Sequence, residues 1–372
     1  MHVLICGGGV IGACSAYCLA KAGAEVTVVE RAGVANASSG KSGGFLAVDW
    51  CAGSALDEMA RRSFGLHAEL AESLREALDL DWGYRPVETL SIAASQKRNF
   101  SEHSRMPKPA WLAERVMVHD RIGSTETTAQ LDPAAFTRAM MRAAEAQGAQ
   151  LQEGVAEGIV MSPDGKRATG AVIDGKDTKA DAVLIAMGPW LILACRWLPL
   201  PRTFGLKGHS LVFRFQPDNN ATLFAEIETE EGDVETPEIV PRVDGTTYVC
   251  GLSSQALMPE DPARVTSDEG AFEKLRQLTA CVSTELADAE IIAKQACHRP
   301  LIEDGLPFIG AVAGVEDAYI AKGHSVWGML NGPATGEAMA ELLLQGAPQH
   351  IDLTPFNSAR QPPLDPDRVD VK

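Results

Sequence analysis

The chain has 372 residues, more than one hydrophobic core usually serves, so about two domains are expected. With 45% hydrophobic and 22% charged residues it reads as an ordinary globular chain, and disorder is expected only in the Pro/Asp-rich tail from Gln361 to Lys372. Its 33 basic and 50 acidic side chains leave a net charge of −17, which repels phosphate backbones and anionic lipid and argues against nucleic acid or a membrane as partner.

His2 to Cys6 is a short apolar run, read as a buried strand. A Gly-rich turn follows, then small and apolar residues at helical spacing from Val10 to Ala22, then a second strand from Glu25 to Val29. Strand, Gly turn, helix and strand within the first 30 residues make a βαβ unit on a parallel sheet. Helices are expected over about Ala55–Leu78, Ala134–Gln147, Phe272–Ala287 and Thr335–Leu344. Asp132 is the natural N-cap of the second, with Pro133 as its first residue. Hairpin signals stand at Asp164-Gly165, Asp174-Gly175 and Asp244-Gly245, strands at Val183–Met187 and Ala318–Ala321, and strand-rich text from Lys207 to about Leu257. The acid-rich stretch Glu226–Glu235 reads as a solvated loop or edge. The expected fold is therefore α/β: a discontinuous Rossmann-type domain (1–82, 132–205 and 295–372) and an antiparallel-sheet substrate domain (83–131 and 206–294).

No apolar run reaches 18 residues, so no spanning helix is expected; with a strand beginning at His2 and no signal or transit peptide ahead of it, the expected location is cytoplasmic. The eight cysteines form no CxxC pair; Cys14 and Cys18, four apart on a helix, read as packing, and no metal is expected.

Gly7-Gly8-Gly9-Val10-Ile11-Gly12 carries the GxGxxG spacing between a strand and a helix, with the acidic Glu30 following at the end of the next strand. Gly7 allows the tight turn, Gly9 lets the backbone approach a pyrophosphate, and Gly12 lets helix and strand pack closely. The helix N-terminus offers its N–H groups and partial positive charge to the phosphates. Glu30 suits ribose hydroxyls and repels a 2′-phosphate, which leaves FAD or NAD.

Four further segments resemble, in order, the D-amino-acid oxidase superfamily of flavoproteins, which includes glycine and sarcosine oxidases. They are Ala37–Phe45 (ASSGKSGGF), Val183–Trp190 (VLIAMGPW), Cys297–Gly310 (CHRPLIEDGLPFIG) and Gly323–Gly328 continuing through Pro333–Gly336. Within it, Ser39–Trp50, Ser63–Ala71 and Lys207–Ser210 are most similar to a branch of fungal and plant FAD-dependent oxidoreductases.

The resemblance implies FAD, held non-covalently. Gly7, Gly9, Val10, Ile11, Gly12, Glu30 and Arg31 would hold the adenosine and pyrophosphate. Ser38, Ser39, Ser42, Gly43 and Gly44 would run beside ribityl and ring, and Val155 would meet the adenine through its backbone. Gly188 and Trp190 would pack near the flavin, while Gly323, Ser325, Val326, Trp327, Gly328 and Met329 would meet its pyrimidine edge. Arg299 matches the arginine that binds the substrate carboxylate, a task suited to a guanidinium fork. Cys297 aligns with a cysteine that bonds covalently to flavin in sarcosine oxidase, the minority alternative here. His324 reads as structural or ring-supporting, and His209 carries no role beyond the resemblance. Two lysines of sarcosine oxidase lack counterparts: one position falls at Trp327, and Thr247–Ser254 holds none. The electron acceptor is thus O2 or another carrier.

The function implied is oxidation of the C–N bond of a small amino acid or secondary amine by hydride transfer to flavin N5. Oxidation of a 2-hydroxy acid, and a mainly regulatory or trafficking role with little turnover, are the alternatives.

Overall fold

The computed structural model describes residues 1–100, 104 and 106–371. Its first half-layer is a six-stranded sheet. Read across, its strands are Phe308–Ala311, Ala318–Lys322, Ala182–Ile185, His2–Cys6, Glu25–Glu30 and Gln150–Glu153. All neighbours run parallel except the first pair. His2–Cys6 and Ala182–Ile185 are buried on both sides, as a sheet covered on both faces requires.

On one face lie α1 (Val10–Lys21), then α2 (Asp57–Leu78) and α3 (Pro133–Ala146). The other face is covered by the small hairpin sheet of Ala156–Met161, Ala168–Ile173 and Lys176–Lys179. α3 begins as the sequence predicts: the Asp132 carboxylate accepts from Ala135 N–H at 2.6 Å and Pro133 is the first helical residue. The expected helix Phe272–Ala287 is two helices, α4 (Ala271–Val282) and α5 (Thr284–Asp288), because the extended Ser283 between them caps the second through Leu286 N–H.

The last helix, α6 (Gly328–Gln345), starts seven residues before the expected Thr335 and runs through Gly332 and Pro333. Pro333 has no N–H to offer Met329 C=O. The buried ring of His67 on α2 supplies a substitute: its Nε2 lies 2.9 Å from Met329 O and 3.1 Å from Leu330 O. Ser63 Oγ, one turn earlier, accepts Ala334 N–H at 3.1 Å. Tertiary contacts thus carry a helix that local propensity would end. Gly336 makes the α1–α6 crossing close, since a Cβ there would stand 2.6 Å from the Cys14 carbonyl carbon.

The second layer is an eight-stranded sheet. Its path is Ile291–Leu301, Phe204–Phe213, Thr247–Ser254, Glu238–Pro241, Thr222–Glu228, Thr89–Ser95 and Met117–Gly123, with Val234–Glu235 paired to Thr222–Glu228. It is antiparallel apart from one parallel pair, Thr222–Glu228 with Thr89–Ser95. Ile291–Leu301 spans the boundary expected at 295, and apart from a bulge at Ile292 it pairs along its length with Phe204–Phe213 of this sheet. One face is buried under α4 around Leu211, Leu223, Ile239 and Val249. The other faces the dinucleotide half. The tail from Gln361 is packed rather than loose: Leu364 is buried and its N–H donates to Leu200 C=O at 2.8 Å. Among the described residues no helix is long and apolar enough to cross a membrane.

Candidate functional site

The cavity opens at the carboxyl end of His2–Cys6, where strand order reverses, which is the usual ligand crevice of an open α/β sheet. Gly7, Gly9, Val10 and Ile11 line it at the N-terminus of α1. Gly12 stands outside the lining; a Cβ on it would collide with Gly7 C=O, so its role is to seat the helix on the turn. Glu30 lines the cavity while its carboxylate accepts Gly8 N–H at 2.7 Å and Ala32 N–H at 2.8 Å. Those bonds fix the carboxylate beside the glycine turn. Arg31 also lines it, with its guanidinium donating to Glu260 C=O at 3.1 Å.

The Ser/Gly loop is bound at both ends. Ser39 Oγ accepts Val10 N–H at 2.9 Å, capping α1 across the cavity wall. Ser38 Oγ donates to His298 C=O at 2.6 Å. Tyr248 donates its hydroxyl to Lys41 C=O at 2.9 Å, and Arg242 donates to Ser42 C=O at 3.1 Å. Arg242 is buried, pairs with Asp132 at 3.3 Å and lies 5.1 Å from the Tyr248 ring centre. The large sheet therefore holds the loop that shapes the cavity of the small one. Ser42, Gly43 and Gly44 all line the cavity.

Gly188, Trp190, Gly323, Ser325, Val326, Trp327, Gly328 and Met329 complete the wall, as does Cys297. Trp190 is fixed by its indole N–H on Pro259 C=O at 2.8 Å. Burial pushes the Cys297 thiol up, and Ser38 Oγ lies 3.5 Å from its sulfur. His324 bonds Thr335 Oγ at 3.0 Å through Nε2, and burial lowers it to about 3. Both nitrogens of His209 are engaged, Nδ1 with Leu252 C=O at 2.7 Å and Nε2 with Asp268 N–H at 3.0 Å. Val155 stands outside the lining. Its N–H donates to the Asp174 carboxylate and its C=O accepts Asp174 N–H, both at 3.0 Å, so the hairpin holds its backbone while Gly154 and Ala156 line the cavity on either side.

From the large sheet comes Arg299, half-buried, its Nη1 3.0 Å from Ser253 Oγ. Among the described residues no carboxylate lies within ion-pair distance of it. Gly208 faces Cys297 across the register, and a side chain there would approach the guanidinium. Reading the sequence alone left out Lys41, Phe45, Trp50, Phe224, Glu238, Tyr248 and Cys250, all in the same wall. A signal existed for one of them: Glu238 is a charge inside the apolar strand Glu238–Pro241, where an acid is costly without a purpose. Phe45, Phe224, Tyr248 and Cys250 arrive by strand alternation and register, while Lys41 caps one short helical turn and Trp50 lies in another, none of which composition reveals.

The residues present fit a dinucleotide. The helix N-terminus, the Glu30 carboxylate and the glycine-lined approach lie along one cavity, and Ser42 Oγ is buried there without a partner among the described residues. A doubly wound sheet with this turn, roofed by a second sheet that brings an arginine over the cavity, defines a dinucleotide-binding oxidoreductase. The chain belongs to the FAD dependent oxidoreductase (DAO) family, whose sequence profile matches residues 2–342. It is 28% identical to glycine oxidase of Geobacillus kaustophilus, over 96% of each chain. The crystal structure of that enzyme superimposes with a TM-score of 0.82 at 25% identity, covering 96% of this chain and 98% of the other. TDA3 of Saccharomyces cerevisiae is 24% identical, over 93% of this chain and 92% of its own. The protein is thus an FAD-dependent oxidoreductase.

Proposed function

We propose that the protein oxidises the C–N bond of a small amino acid or secondary amine. The observation that carries this is Arg299, a guanidinium in the cavity wall that donates to the neutral Ser253 hydroxyl and, among the described residues, has no carboxylate within ion-pair distance. A carboxylate arriving there would complete a two-bond fork and gain from the local positive charge on an acidic protein. The relatives fit this reading, since glycine oxidase is among them.

FAD, when bound, supplies the two-electron acceptor for hydride from the carbon bearing nitrogen. The chain's own residues bind and orient. Gly7, Gly9, Val10 and Ile11 present the α1 N-terminus to the pyrophosphate, and Glu30 presents its free lone pairs to ribose. The Lys41–Gly44 loop, held by Tyr248 and Arg242, would run beside the ring when FAD is bound. The Gly323–Met329 turn would meet its pyrimidine edge. Non-covalent binding is our reading: Cys297 is buried and its thiol pushed up, which disfavours the thiolate. We assign 1–82, 132–205 and 302–372 to the cofactor and 83–131 and 206–301 to the substrate, the later boundary keeping Ile291–Leu301 in one unit. The partners are a small amine or amino acid and an acceptor that is O2 or another carrier.

The test is anaerobic bleaching of the flavin absorption by glycine, sarcosine, D- and L-amino acids, N-methyl amino acids and 2-hydroxy acids. One amine class should reduce the wild type, and Arg299→Ala should raise the concentration needed by about 100-fold, the scale of a lost charge-assisted pair. Bleaching by 2-hydroxy acids alone, or a protein that no compound bleaches, would sink the C–N reading.

A further inference from the structure

Glu238 has no part in the reading above, yet it stands in the same wall as Arg299. Its strand alternates: Ile239 packs under α4, whereas Glu238 and Val240 share the face that carries Tyr248 and Cys250. Register places Glu238 between Phe224 and Cys250 on the two neighbouring strands. Its carboxylate accepts from the Cys250 thiol at 3.6 Å, a weak donor. Among the described residues no cation lies within ion-pair distance, and Arg299 acts on it only at longer range. Burial raises its carboxyl above the usual range, with Arg299 opposing, so the acid gains whenever a cation comes to it.

Beside the carboxylate is a cluster of rings. Phe224 is 5.1 Å from Phe45 and 4.8 Å from Trp50, centre to centre, and Trp50 reaches Trp327 at 6.5 Å. A half-buried carboxylate flanked by aromatic rings is a site for an ammonium group, through charge and through the π faces.

We propose that Glu238 is a specificity-determining residue that takes the substrate's ammonium group, against the Phe224 and Trp50 rings, while Arg299 takes its carboxylate. The substrate class is then a zwitterion, and the aromatic rim accommodates N-alkyl groups. This rests on the carboxylate role of Arg299 given above.

Two unreactive isosteres separate the charges: trimethylglycine, and 3,3-dimethylbutanoate, in which carbon replaces the cationic nitrogen. Each is titrated into the oxidised holoenzyme and followed by the perturbation of the flavin spectrum. Wild type should bind trimethylglycine about tenfold more tightly, the lower end for an interaction with a charged group. Glu238→Gln should abolish that preference while leaving the affinity for 3,3-dimethylbutanoate within about twofold. Arg299→Ala should weaken both ligands alike. Equal binding of the two by wild type, or a preference that survives in Glu238→Gln, overturns the ammonium site alone. Equal affinities in wild type and Arg299→Ala, or no binding of either ligand, overturn the carboxylate reading on which it rests.

Discussion

Lys322 shows how one residue can oppose the fold that contains it. It ends a strand of the dinucleotide sheet, is 1% exposed, and lies 5.6 Å from the Phe308 ring, with no hydrogen-bond partner for its ammonium nitrogen among the described residues. Burial, with the positive Arg360 nearby, lowers it to about 7. In the unfolded chain a lysine titrates near 10.4. Between those values the unfolded chain binds a proton that the folded one refuses, so this residue makes stability rise with pH from about 7 to about 10. Lys322→Met should therefore be more stable than wild type at pH 7 by about 4 kcal/mol, with the difference falling to about 2 kcal/mol at pH 9. Urea midpoints at the two pH values measure it; an unchanged difference would show that Lys322 does not titrate as stated.

At the scale of elements, α6 is the helix most dependent on its neighbours. His67 donates where Pro333 cannot, and burial lowers its ring to about 4, so it stays neutral at physiological pH. His67→Phe keeps a ring beside Phe136, whose centre is 4.9 Å away, but leaves the Met329 and Leu330 carbonyls without this donor. The expected loss is about 1–3 kcal/mol, read as a lower urea midpoint at unchanged slope. The start of α6 is also the Gly328–Met329 wall of the cavity, so the same variant should release FAD at lower urea.

Across the whole molecule the two sheets are joined through the Ser/Gly loop. Arg242 extends from the large sheet, pairs with the Asp132 cap of α3 and donates to Ser42 C=O. Its side chain is 10% exposed and that of Asp132 is 27% exposed, so the pair is largely but not wholly desolvated. Arg242→Ala should cost about 2 kcal/mol, below the range of a fully buried pair. Because Arg242 holds the cofactor loop, added FAD should raise the melting temperature of the variant less than that of wild type. Arg242→Lys should recover only part, since an ammonium cannot reproduce the fork over Tyr248. A variant whose melting temperature responds to FAD as wild type does would show that the loop is held by other contacts.

The sequence by itself determined the dinucleotide half, because its signals are local. The Gly7–Gly12 turn, the Glu30 position and the Asp132-Pro133 start each depend on residues within a few turns of one another. It also supplied the family and the cofactor, through segments that lie in order along the chain. Tertiary structure alone decided the rest. Helix α6 begins at Gly328 because His67 and Ser63 come from another helix to repair it. Val155 keeps its backbone for Asp174 because a hairpin folds back on it. Glu238 and Phe224 reach Arg299's cavity through strand register, and Trp50 through a short helical turn packed on Phe224; pairing between distant segments leaves no periodic trace in any one of them.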